Sequence, residues 1–202
     1  MDSEAASPRG VPAPLVRGAG VRASVATDAE LATRARSGDR EAFGRIYERY
    51  AALVHGILLA HAPQREAGDL LQDVFVLALR SIATLEDPNR LGPWLSTITR
   101  NRARDHLKRG NREVELEREP LPGPALDQAS DEAEEARVVL EHIRSLPESY
   151  RETLALRLVE GLSGPEIAAR TGLTHGSVRV NLFRGMQALR ERLERATRRR
   201  TS

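Results

Sequence analysis

The 202-residue chain contains no cysteine, which removes disulfides, cysteine-based zinc sites and thiol redox sensing from what it can do alone. Aromatic residues make up only 3% of it, with one tryptophan, Trp94, while glycine and proline interrupt both ends and the middle. That pattern favours two small helical domains over one large core. Lysine is nearly absent too: Lys108 is the sole one, and arginine carries the remaining positive charge. No apolar run approaches the ~20 residues of a transmembrane helix. The N-terminal stretch MDSEAASPRGVPAPLVRGAG lacks the apolar centre of a signal peptide, so a cytoplasmic protein without membrane insertion is expected. The five histidines (55, 61, 106, 142 and 175) show no metal-ligand spacing, and there is neither a glycine-rich phosphate loop nor a nucleophile elbow. An enzyme, a cofactor and a small-molecule substrate are therefore not expected.

What the chain does have is concentrated in LSGPEIAARTGLTHGSVRVNLFRGMQAL, Leu162 to Leu189. Ser163 and Glu166 form an S-x-x-E capping box that starts a helix, and Pro165 falls in the first turn, where its missing donor costs little. Ala168 supplies the small residue that two steeply crossing helices need at their closest approach. Gly172 supplies the turn with a residue tolerant of positive φ, and Val178 supplies an apolar contact from the second helix. Thr174 caps that second helix. The window reads as a helix-turn-helix, and an αα-hairpin with a glycine turn is the plainer alternative.

Along the rest of the chain, residues 1 to 26 read as a disordered tail rich in Ala, Pro, Gly and Arg. Thr27 and Glu30 form a second capping box, for a short helix that Gly38 ends. Asp39 caps the next helix, whose apolar positions from Phe43 to Leu58 recur every three or four residues until Pro63 stops it. A third helix runs from Asp69 to about Leu85, with Asp69, Gln72, Asp73 and Arg80 on the stripe opposite its apolar face. A fourth spans about Leu91 to Arg109 and carries Arg100, Arg102, Arg104, Lys108 and Arg109 against one acid, Asp105. From 113 to 135 the sign reverses to nine acids and one base, broken by three prolines, which predicts a flexible acidic linker over 110–135. A second helical domain follows over 136–196, with a basic tail at 197–202. The predicted class is thus all-α, two small helical domains joined by that linker, the second containing the helix-turn-helix.

The net charge of +2 hides two basic helices in different domains, each suited to DNA phosphate through counterion release. Trp94 and Asn101 on the fourth helix add an aromatic face and an amide, a combination that suits unstacked bases. On the recognition helix, ~100° per residue turns Val178, Leu182 and Leu189 inward and leaves Ser177, Val180 and Arg184 outward, flanked by Arg179, Asn181 and Phe183, with His175 at the start. Arginine pairs with guanine, asparagine with adenine, and Val180 can touch a thymine methyl.

In order and spacing, SGDREAFGRIYERY, DLLQDVFVLAL and PWLSTITRNRARDHLKR resemble successive pieces of domain 2 of the extracytoplasmic-function (ECF) sigma factors. The block beginning SLPESYRETLALRLVEGLSGPEIAARTGLTHGSVRV resembles their domain 4. The resemblance implies a promoter-specificity subunit of bacterial RNA polymerase. Asp69, Gln72, Asp73 and Phe75 would dock on the basic coiled coil of the β′ subunit. Trp94, Arg100, Asn101, Arg104 and Lys108 would open the −10 element, with Asn101 at the base-reading position. His175, Ser177, Arg179, Val180, Asn181, Phe183 and Arg184 would read the −35 element, and their flank would hold the β flap. An anti-sigma protein is an implied partner. Val180 and Asn181 stand where family members often carry serine and arginine. A free-standing helix-turn-helix regulator is the alternative, but it leaves the Asp69 stripe and the basic Trp94 helix without a role.

Overall fold

The computed structural model describes residues 26–116 and 131–200, with side chains over 26–109 and 135–198. The expected N-terminal tail, the middle of the expected acidic linker and the final residues lie outside that range. Eight α-helices form the described part, with no strand among the described residues. They are α1 (Asp28–Arg36), α2 (Arg40–His61), α3 (Ala67–Ser81) and α4 (Leu91–Leu116), then α5 (Asp131–Arg144), α6 (Glu148–Leu158), α7 (Gly164–Thr171) and α8 (His175–Arg200). The all-α class is as expected.

Local signals set most of the boundaries. Thr27 and Glu30 make the reciprocal capping box of α1, and Gly38 turns the chain at φ 89°. The Asp39 carboxylate accepts the Ala42 N–H at 3.0 Å and starts α2. Two ends differ from expectation. α3 stops at Ser81 and continues only as a 3-10 turn over Ile82–Thr84. There the Ser81 and Thr84 hydroxyls each donate to a nearby main-chain carbonyl at 2.7 Å. α4 runs to Leu116, into the stretch read as linker, because nothing before Pro120 breaks it and the single Gly110 is tolerated.

α2 lies at the centre. From Gly56 to Ala62 every residue is buried, a helix covered all round and not on one face. α1, α3, α4, α5 and α6 all pack against it. The main core accordingly joins Leu31, Ile46, Leu53, Ile57 and Leu95 of the first half to Leu140, Leu156, Ile167 and Val178 of the second. A smaller core, Ile143, Leu146, Leu154 and Leu189, ties α5, α6 and α8 together. The two helical halves are therefore packed against each other. Glycines allow the approach: a Cβ on Gly56 would lie 2.7 Å from Leu156 Cδ2, one on Gly92 2.2 Å from the Arg170 carbonyl oxygen, and one on Gly172 2.8 Å from Pro93 Cγ.

Candidate functional site

The helix-turn-helix is assembled as its residues dictate. Glu166 N–H donates to Ser163 Oγ at 3.4 Å, and the Glu166 carboxylate accepts the Ser163 hydroxyl at 2.6 Å and the Ser163 N–H at 2.8 Å; these last two bonds, the hydroxyl's first, hold the carboxyl below its usual range. Ala168 and Val178 are buried against each other's helices, and Gly172 makes the turn at φ 78°, its N–H donating to Ala168 O at 3.0 Å. Thr174 Oγ1 then accepts the Ser177 N–H at 3.1 Å and caps α8. On the outer side His175, Ser177, Arg179, Val180, Phe183 and Arg184 are exposed and Asn181 is half-buried. Phe183 is 71% exposed, a large apolar surface left in water.

On α4, Trp94, Asn101 and Lys108 repeat every seven residues and Arg104 lies beside them, so the four share one stripe. Trp94 is half-buried with its ring against the main core, and Asn101, Arg104 and Lys108 are exposed. Arg100 does not join this stripe. It faces α6, where its Nε and Nη2 each donate to the Glu152 carboxylate at 2.8 Å, and that bond raises its already high pKa. Arg104 also reaches α6, donating to Glu148 at 2.9 Å.

Asp69, Gln72 and Asp73 are exposed on one face of α3, and Arg102 of α4 pairs with Asp73. Phe75 is not on this face. It is 5% exposed and packs edge-on to Phe43 and tilted against Tyr47, so the apolar contribution to the surface comes instead from its neighbours Val76 and Leu79, about half exposed. The period of 3.6 puts Phe75 with Leu71 and Ala78, on the core side.

One cluster is invisible in the sequence. His61, Glu148 and Glu152 bring a nitrogen and two carboxylate oxygens within 4.8 Å of one another. His61 Nε2 lies 2.7 Å from Glu152, and its Nδ1 accepts from Arg151 at 3.1 Å, which places the ring proton on Nε2. Burial alone would raise the Glu152 carboxyl, but the hydrogen bonds from His61 and Arg100 outweigh it and hold it below the usual carboxylate range. With Arg100 and Arg104 already on the two carboxylates, the donor set suits an ion cluster more than a metal ion.

The family models for Sigma-70 region 2 and Sigma-70, region 4 match residues 46–113 and 136–189. The RNA polymerase sigma factor CarQ of Myxococcus xanthus is 37% identical over 165 residues, 79% of this chain and 94% of CarQ. The ECF RNA polymerase sigma-E factor of Escherichia coli is 30% identical over 186 residues, 86% of this chain and 97% of its own length. The chain belongs to the ECF RNA polymerase sigma factors. Among solved structures, that of CnrH in complex with the cytosolic domain of CnrY superposes with TM-score 0.55 at 31% identity, over 83% of this chain and 97% of CnrH. The sigma factor RpoE of Bartonella quintana, solved with the anti-sigma factor NepR, shares the fold at TM-score 0.53 and 22% identity, over 75% and 96%. As a sigma factor the chain binds core RNA polymerase and promoter DNA and directs transcription initiation, which sets aside the free-standing regulator.

Proposed function

We propose that the sigma-factor work is divided among three helices of this chain. The exposed Asp69, Gln72 and Asp73 of α3 dock on the basic coiled coil of the polymerase β′ subunit. The α4 stripe of Trp94, Asn101, Arg104 and Lys108 captures a base unstacked from the −10 element, with Arg100 and Arg104 on the adjacent backbone. The start of α8 reads the −35 duplex in the major groove, Arg179, Asn181 and Arg184 at base edges or phosphates and Val180 and Phe183 at apolar edges. The rest of domain 4 flanks the β flap. The observation that carries this reading is the outward row from His175 to Arg184 on a helix whose inner side is buried, in the same fold as an exposed amide on a basic stripe.

The factor acts in the cytoplasm as a binding subunit with no catalysis of its own. No described helix is long and apolar enough to cross a membrane. CnrH and RpoE were each solved with a protein partner, in the second case an anti-sigma factor, and an anti-sigma protein is proposed to hold this chain in the same way. The test is run-off transcription with core enzyme on genomic fragments. The chain should produce defined transcripts, and Asp69→Arg should lose them together with core binding while its helicity stays unchanged. Core affinity unaltered by Asp69→Arg would overturn the assignment of α3.

A further inference from the structure

The two halves of the molecule meet through charge as well as shape. Glu152 is buried on α6 and receives the Arg100 guanidinium from α4 in bidentate fashion, with His61 of α2 on one of the same oxygens. One helical turn earlier on α6, Glu148 receives Arg104. Arg100 and Arg104 are also the side chains assigned above to the DNA backbone. A carboxylate, like a phosphodiester, offers a guanidinium a pair of anionic oxygens that accept two parallel hydrogen bonds.

We propose that Glu152 and Glu148 form an intramolecular latch that occupies Arg100 and Arg104 in place of promoter phosphates, so that closure of the two halves and engagement of the melted strand compete for the same two side chains. This rests on the reading of α4 given above. Asn101, one residue along, stays exposed while Arg100 is covered, so the closed molecule presents the base-reading amide without its backbone clamp. The contact is built and not incidental. Gly56, Gly92 and Gly172 each sit where a Cβ would come within 3.0 Å of the opposite half, and Arg144 of α5 donates to the Leu59 carbonyl near the end of α2 at 2.9 Å. Leaving a buried carboxylate bare is costly, so the latch stays shut until another polyanion takes over the arginines and Glu152 gains access to water. A nucleic-acid backbone is such a polyanion, and its pull weakens as salt rises.

The absence of cysteine makes the test direct, because the full chain takes a dye pair at Arg40→Cys and Arg190→Cys, one exposed position on each half. In that background Glu152→Gln should lower energy transfer and bind a labelled duplex with a single-stranded tail, of arbitrary sequence, about five- to tenfold more tightly, as expected when the competent fraction rises. Arg100→Ala should open the molecule equally and show no gain in affinity. A second variant removes any dependence on the folding of the first. Glu148→Gln lies at an exposed position, releases Arg104 alone and should tighten binding of the tailed duplex about two- to threefold. Unchanged energy transfer in Glu152→Gln, or affinities of both glutamine variants equal to that of the wild type, overturns the latch. Equal gains in Glu152→Gln and Arg100→Ala overturn the shared use of Arg100 and with it that part of the α4 reading. Run-off transcription on the same proteins reports separately whether the chain initiates.

Discussion

Replacing Gly92 by alanine tests whether the halves are as closely fitted as the structure shows. The new Cβ would lie 2.2 Å from the Arg170 carbonyl oxygen and 3.1 Å from Tyr50 Cε1, where real Cβ contacts essentially never fall under 3.0 Å. The obstacle is backbone at the end of α7, so no rotamer can relieve it, and α4 and α7 must separate by about 1 Å in a close-packed region. Overpacking of this kind costs about 1–3 kcal/mol. Alanine returns at most about 0.5–1 kcal/mol through its better backbone entropy in a helix. The balance is a loss of about 1–2 kcal/mol, which for a chain of this size lowers Tm by about 2–8 °C. Gly44 of α2 is the control, exposed and with nothing within 4 Å of its Cβ. Gly44→Ala should raise stability by about 0.5–1 kcal/mol. Thermal melting by circular dichroism measures both, and emission from the single tryptophan, Trp94, reports on the contact itself from two residues away. A Gly92→Ala protein that melts at or above the wild type with unchanged Trp94 emission would refute the argument from close packing.

Ser163→Ala removes the α7 capping box and should cost about 1 kcal/mol, seen as a Tm lower by about 2–4 °C. His55 on α2 hydrogen-bonds Glu160 at 2.6 Å, which raises the imidazole above its ordinary 6.5 despite the opposing effect of burial. Its contribution is therefore complete below pH 6.5 and is lost as pH rises through the higher folded value, so the Tm gap between wild type and His55→Gln should narrow as pH rises above 6.5; a gap that widens would contradict this. Asn101→Ala should slow open-complex formation more than it weakens closed-complex binding, and normal permanganate melting kinetics would count against the base-capture role. Selection of −35 variants against Arg179→Ala and Arg184→Ala should show one losing about 1–3 kcal/mol of preference at a single base pair and the other weakening all promoters alike. No change of preference in either would end direct readout by α8.

Much of this molecule was legible because the deciding interactions are local. The two capping boxes, the Gly172 turn and the inward row of Val178, Leu182 and Leu189 each lie within a few residues or follow one helical period; the boxes and the turn are found as read, with Val178 and Leu189 buried and Leu182 half-buried against both cores. Phe75 shows the limit of motif matching, since the resemblance set it among the docking residues while the helical period sets it with Leu71 and Ala78, and its side chain is buried. The change from α3 to a 3-10 turn after Ser81 has no glycine or proline to announce it in the sequence. The Arg100–Glu152 pair spans 52 residues, and Glu152, following Arg151, looks like any solvated acid. Its burial follows from α6 being enclosed on several sides, with Glu152 to Leu156 buried in succession, a property of the assembled helices and not of the segment.

α8 is a single helix of 26 residues, about 39 Å at 1.5 Å per residue. Its first turns are braced by α7 and its middle by α6 and α5. A helix of that length behaves as a lever. A reorientation of 10° at its first turn displaces the far end by about 7 Å, more than a full turn of helix pitch. Small differences in how the first turns seat are thereby converted into large displacements of the backbone at the other end.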